Sequence, residues 1–129
     1  MKTLILTIFA TLCITAAAAA QTSDTVTVRP GQQKTASHSR IRVKFISVTE
    51  DSRCPADVAC VWAGNAKIQV KVSDRNGSKI IVMNTMGQSG DQFGSYAITL
   101  NELTPKRRSN GNIKPKDYRA TITVTRLAR

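Results

Sequence analysis

The chain has 129 residues, 41% of them hydrophobic and 5% aromatic, with 19 Lys and Arg against 8 Asp and Glu, a formal net charge of +11. That length fits one small domain and leaves little room for a deep substrate pocket. So large a positive surplus points toward anionic partners and away from cationic ones.

The first segment is Met1-Lys2-Thr3, then the apolar run from Leu4 to Ile14, then Thr15 and five alanines, Ala16 to Ala20. A positive start, an apolar stretch and a small-residue tail are the three parts of a secretory signal. The run is too short and its tail too alanine-rich for a membrane span of about 20 residues. Ala18 and Ala20 satisfy the A-x-A rule, so residues 1–20 are expected to be removed before Gln21. Cys13 follows bulky Leu12 inside the apolar core, so lipidation is not expected. Residues 21–129 then form one domain with 18 basic and 8 acidic residues, net +10, located in the periplasm or secreted. No second apolar run of transmembrane length follows.

Beyond the leader the pattern alternates with a period of two, as in half-buried strands of an antiparallel sheet. Thr25 to Val28 is a short strand candidate closed by Arg29-Pro30-Gly31. From Arg40 to Phe45, Ile41, Val43 and Phe45 share one face while Arg40, Arg42 and Lys44 share the other. From Lys67 to Val72 the same device places Ile68, Val70 and Val72 inward. Ser73 to Ser78 then contains Asn76-Gly77, a strong hairpin cue leading into a strand at Ile80 to Asn84. Gly87 to Gly94 is a polar loop, Tyr96 to Leu100 a strand, and Pro105 to Lys116 a long basic loop. Near the C-terminus Tyr118, Ala120, Ile122 and Val124 alternate with Arg119 and three threonines. Six or seven short strands and no helical stripe predict an all-β domain, a small antiparallel β-sandwich, with a small β-barrel as the alternative.

Without Cys13 two cysteines remain, Cys54 and Cys60. An oxidising compartment and an even count predict one disulfide between them, clipping a loop. Zinc normally takes four ligands, and two Cys with a lone distant His38 do not supply them.

The segment around these cysteines is the most distinctive in the chain: Glu50-Asp51-Ser52-Arg53-Cys54-Pro55-Ala56-Asp57-Val58-Ala59-Cys60-Val61-Trp62-Ala63-Gly64-Asn65-Ala66. It resembles the signature D-S-R-C-P-x-x-V-x-C-x-W-A-G-x-A of a group of small exported bacterial proteins and lipoproteins. The resemblance is close over residues 50–66, looser on either side, and implies export and fold but no activity. This chain departs from the lipid-anchored members in lacking a lipobox. Physically the segment suits a structural clip. Pro55 prevents the preceding strand from continuing, and Gly64 provides a bend where a side chain would crowd. Asp51 and Arg53 are expected to pair with each other or with loop amides. Trp62 is expected in the core, packed on the disulfide, with an exposed platform for sugar or peptide as the alternative. Glu50, Asp51 and Asp57 offer the carboxylate oxygens that calcium takes, but Arg53 among them argues against such a site, and no metal or cofactor is expected.

Arg40, Arg42, Lys44, Lys67 and Lys71 all fall on the polar phase of two strands, and Lys106-Arg107-Arg108 adds a basic loop. If the strands are neighbours, a basic face results. It is either an ordinary solvated surface, or a patch for an anionic envelope polymer or another exported protein. Nucleic acid is not the expected partner, because aromatics are few and no stacking motif is present. Catalytic motifs are absent, and His38 has no announced partner. No carboxylate pair stands out among Asp51, Asp57, Asp91, Glu102 and Asp117. The expected function is therefore a non-catalytic exported binding or envelope-associated module. The alternatives are a secreted inhibitor presenting the Cys54–Cys60 loop with Pro55, Asp57 and Val58, and a structural protein pairing through a sheet edge.

Overall fold

The computed structural model describes residue 15 and residues 22–128, so the leader expected over 1–20 and its cleavage point lie outside the described residues, that single position excepted. Among the described residues the alternating segments form eight strands: β1 (Ser23–Val28), β2 (Gln33–Thr35), β3 (Arg42–Asp51), β4 (Ala66–Asp74), β5 (Gly77–Asn84), β6 (Gly90–Phe93), β7 (Tyr96–Thr104) and β8 (Arg119–Arg126). They make two four-stranded antiparallel sheets, ordered β1-β8-β7-β6 and β2-β3-β4-β5. The predicted sandwich is what forms, and the barrel alternative is not: the sheets remain separate. A single turn of 3-10 helix, Pro115–Asp117, interrupts the strands.

The core is the inward phase of each strand. Val43, Phe45, Val70 and Val72 of one sheet are fully buried with Ile98, Ile122 and Ala120 of the other. Each such aliphatic or aromatic side chain contributes about 1.5–3 kcal/mol by leaving water. In β3 plain alternation from Phe45 would carry Ser47 and Thr49 inward. Two bulges, between Phe45 and Ser47 and between Val48 and Glu50, change the phase. Val48 then pairs with Ile68 and packs on the core, and Asp51 pairs with buried Ala66. An inserted residue shifts every following side chain to the other face. Here the bulges keep polar residues out and aim Asp51 inward.

Several elements differ from the sequence reading. β2 has no apolar face, all three of its residues being exposed, and is formed by backbone pairing alone with Arg42–Lys44. β6 lies inside the stretch expected as loop. Gly90 permits it, because a Cβ there would sit 1.9 Å from the Ile98 carbonyl oxygen across the strand pair. Arg40 is not on a strand; it is a turn residue with φ 62°, its amide bonded to the Ala36 carbonyl. The β4–β5 hairpin forms as predicted, but Asn76-Gly77 is not its central pair. Asp74 pairs with Gly77, leaving Arg75-Asn76 as the loop. The Asp74 carboxylate accepts the Asn76 and Gly77 amides at 2.7 and 3.1 Å, the local Asx device.

Candidate functional site

The loop between β3 and β4 is held from its base upward. Arg53 donates through Nε and Nη2 to the two carboxylate oxygens of Asp51, both at 2.8 Å, and the pair is largely buried, with side chains 13% and 10% exposed. The same guanidinium donates to the carbonyls of Leu103 and Pro105, at 2.7 and 3.0 Å. The Tyr118 hydroxyl donates to Asp51 at 2.8 Å. Residues from β3, β7 and the approach to β8 are thus tied together at one end of the sandwich. Burial by itself would raise the Asp51 carboxyl, but the hydrogen bonds from Arg53 and Tyr118 and the Arg53 charge more than offset it, leaving it below its usual value. Burial and the Asp51 carboxylate together push Tyr118 up to about 12.

Above this clamp the two limbs of the loop run side by side. The Ser52 amide and hydroxyl both donate to the Asn65 carbonyl, at 2.7 and 2.8 Å, and the Cys54 amide donates to that of Ala63 at 2.8 Å. Gly64 stands at φ 71° where the limbs touch, as its expected role as a bend requires. Cys54 and Cys60 are disulfide-bonded. The basic loop after β7 buttresses the ring. Ala56 donates to the Arg107 carbonyl, Arg107 donates to the Arg53 carbonyl, and Ser109 donates to Asp57 through its amide and its hydroxyl. Bonds from the Ser109 hydroxyl and amide, with Arg108 adding its charge, lower the Asp57 carboxyl. Asp51 and Asp57 are therefore committed to different partners and do not converge as a calcium cage. Among the described residues no three Cys, His, Asp or Glu side chains cluster. Closing so short a ring limits the unfolded chain modestly. Cys54→Ala with Cys60→Ala is expected to cost about 2 kcal/mol, measured as a lower urea midpoint at unchanged slope.

One expectation is overturned. Trp62 does not pack on the disulfide in the core; it is 82% exposed, and neighbouring Val61 is 92% exposed. The limbs are joined at Ser52–Asn65 and Cys54–Ala63, and every residue from 56 to 63 is exposed. Phe45, Tyr118 and the aliphatic residues fill the core instead.

The predicted basic face is divided. β3 and β4 are neighbours, and Lys44 lies directly across from Lys71, with Arg42 across from Ser73, on the outer side of the sheet. Lys67 leaves this group: it faces Glu50 across the strands and stands 3.6 Å from its carboxylate. Lys106, Arg107 and Arg108 lie at the other end of the sandwich with the disulfide loop, and Arg107 serves there as a brace. Arg40, from its turn, instead joins Arg42 and Arg75 around a depression of about 720 Å³ that also touches Asp74. A second depression, about 530 Å³, continues past Arg42 to Lys44 and Lys71.

A third feature was not legible as a site. His38, solitary in sequence, donates through its ring and its amide to Asp24, and the Ser39 amide joins them at 3.2 Å. These bonds, the His38 ring first, hold the Asp24 carboxyl below its usual value against burial. Asp24 is 8% exposed and staples the 37–39 turn onto β1. The clue lay in the phase of β1, where Asp24 alternates with Val26 and Val28 and so faces inward, a position that demands a partner.

No protein-family model, no curated protein and no solved structure matches this chain. The geometry by itself defines a small disulfide-clipped β-sandwich with a cationic groove at one end and an apolar-tipped loop at the other.

Proposed function

We propose that the chain is an exported, non-catalytic module that binds anionic polymers, such as acidic glycans or phosphate-bearing envelope material, through the groove formed by Arg40, Arg42, Lys44, Lys71 and Arg75. The observation that carries this reading is the direct cross-strand pairing of Lys44 with Lys71. Like charges facing each other in a sheet are destabilising, and neither lysine has an ion-pair partner among the described residues. The one carboxylate in the groove, Asp74, accepts both hairpin amides on a single oxygen, Oδ1, and is outnumbered by the five cations around it. Gln33, Asn76 and Ser78 add neutral hydrogen-bonding groups to the walls. Such an arrangement suits a ligand that supplies the missing negative charge along its length. The resemblance of the loop segment to exported proteins, and a disulfide that needs an oxidising compartment, support export.

The test sets stability against binding. Lys71→Glu is expected to stabilise the domain by about 0.5 kcal/mol through a new cross-strand pair with Lys44, yet to elute from heparin at clearly lower salt and with a shallower salt dependence. Lys116→Glu makes the same charge change in the 3-10 turn at the opposite end. Equal elution of the two variants would show the groove to be incidental.

A further inference from the structure

The disulfide loop combines two properties that folding alone does not require. Its base is fixed by the Asp51–Arg53 clamp, the limb-to-limb bonds and the Asp57–Ser109 contact. Its tip nonetheless leaves apolar side chains in water: Val58 is 45% exposed, Val61 92% and Trp62 82%. Trp62 is the only tryptophan in the chain. A large aromatic held outside the core on a rigid stem loses little freedom when it meets a partner.

The surroundings indicate the partner. Lys106 borders the cleft beside Ala63 and Gly64, next to the Trp62 limb. Arg108 lies by Asp57 on the other limb. Both cations are exposed. Two carboxylates stand near the tip, Glu102 lining that cleft and Asp57, which keeps its charge while accepting from Ser109; Lys106, Arg107 and Arg108 outnumber them. A convex apolar tip flanked by cations is complementary to a surface with negative charge outermost and hydrocarbon beneath. Tryptophan favours that boundary, and each nearby cation adds about 1 kcal/mol at an anionic surface.

We propose that Val58, Val61 and Trp62 seat in the headgroup region of an anionic phospholipid bilayer, with Lys106 and Arg108 held against its surface. Lys71, the groove residue of β4 nearest the tip, stands five strand residues from Ala66 where the loop ends, roughly 17 Å along the sheet. The groove therefore remains free when the tip is seated, and the two ends bind independently.

Because Trp62 is unique, its emission in the unaltered protein reports the tip directly. With vesicles of phosphatidylglycerol and phosphatidylcholine in equal parts, the emission is expected to shift to the blue and to gain protection from acrylamide. Phosphatidylcholine alone is expected to leave it unchanged. Trp62→Ala is expected to weaken co-sedimentation with the anionic vesicles by about tenfold or more, as for a buried aromatic anchor. Lys106→Gln and Arg108→Gln are each expected to weaken it about fivefold, while Lys71→Glu leaves the emission shift in place. Vesicle binding with unmoved emission would put the attachment in the groove and overturn the proposal. So would an equal shift on neutral vesicles, absence of binding, or a shift seen only with a protein from envelope extract, which would assign the loop to a protein cleft.

Discussion

Gly64→Ala is expected to be among the most damaging single substitutions in this protein, with a loss of about 3 kcal/mol or more, enough to unfold a marginal domain. Two costs add. The backbone at Gly64 has φ 71°, a conformation that a Cβ disfavours by about 1–2 kcal/mol. The added carbon would also sit 2.0 Å from the Ser52 carbonyl oxygen and 2.9 Å from the Arg53 Cα. Both are main-chain atoms, and neither can retreat cheaply: Ser52 is bonded to Asn65, and Arg53 is anchored to Asp51, Leu103 and Pro105. Gly31 separates the two costs. It has φ 82° but nothing within 4 Å of its would-be Cβ, so Gly31→Ala is expected to lose only about 1 kcal/mol. Urea unfolding of both variants measures the difference, and equal losses would show that the close approach at Gly64 is relieved elsewhere.

Asp51→Ala is expected to cost about 3 kcal/mol, because it strands the Arg53 guanidinium and the Tyr118 hydroxyl in a largely dry site. The loss should exceed that of replacing Asp51 and Arg53 together by leucine and methionine, which removes the unpaired charge along with its partner. A double variant less stable than Asp51→Ala would contradict this. The pH dependence follows from the same clamp. Asp51 and Asp24 have carboxyls lowered below 3.8 in the folded protein. The stability they contribute is therefore present above the unfolded-state value and is lost as pH falls through the folded values. Tyr118 has the opposite sign: raised from 10.0 to about 12, it contributes stability below 10 that is lost as pH rises toward 12. Thermal melts across pH are expected to show a plateau at neutrality with both edges softened in Asp51→Ala.

Local chemistry sufficed for much of the architecture. The two-residue period of Ile41-Val43-Phe45, Ile68-Val70-Val72 and Ala120-Ile122-Val124 states which face each strand buries, because consecutive side chains of an extended chain must point to opposite sides. The cysteine count specified the disulfide, and the strain at Gly64 was implied by glycine between two limbs of a tight ring. β2 and β6 escaped because each is only three or four residues long, is held to the strand that follows it by backbone pairing, and carries no apolar phase to announce itself.

The composition, period and cysteine pairing of this chain were enough to specify an all-β, disulfide-clipped domain, since each depends only on residues close together in sequence. Whether Trp62 lies inside or out, whether Lys67 joins Lys71 or Glu50, and whether His38 is solitary were settled only by packing. Those outcomes depend on where the loop leaves the sheets, on the two β3 bulges that reset the side-chain phase, and on the turn that brings His38 to Asp24, fourteen residues before it. They are matters of long-range geometry, and a local pattern carries no record of them.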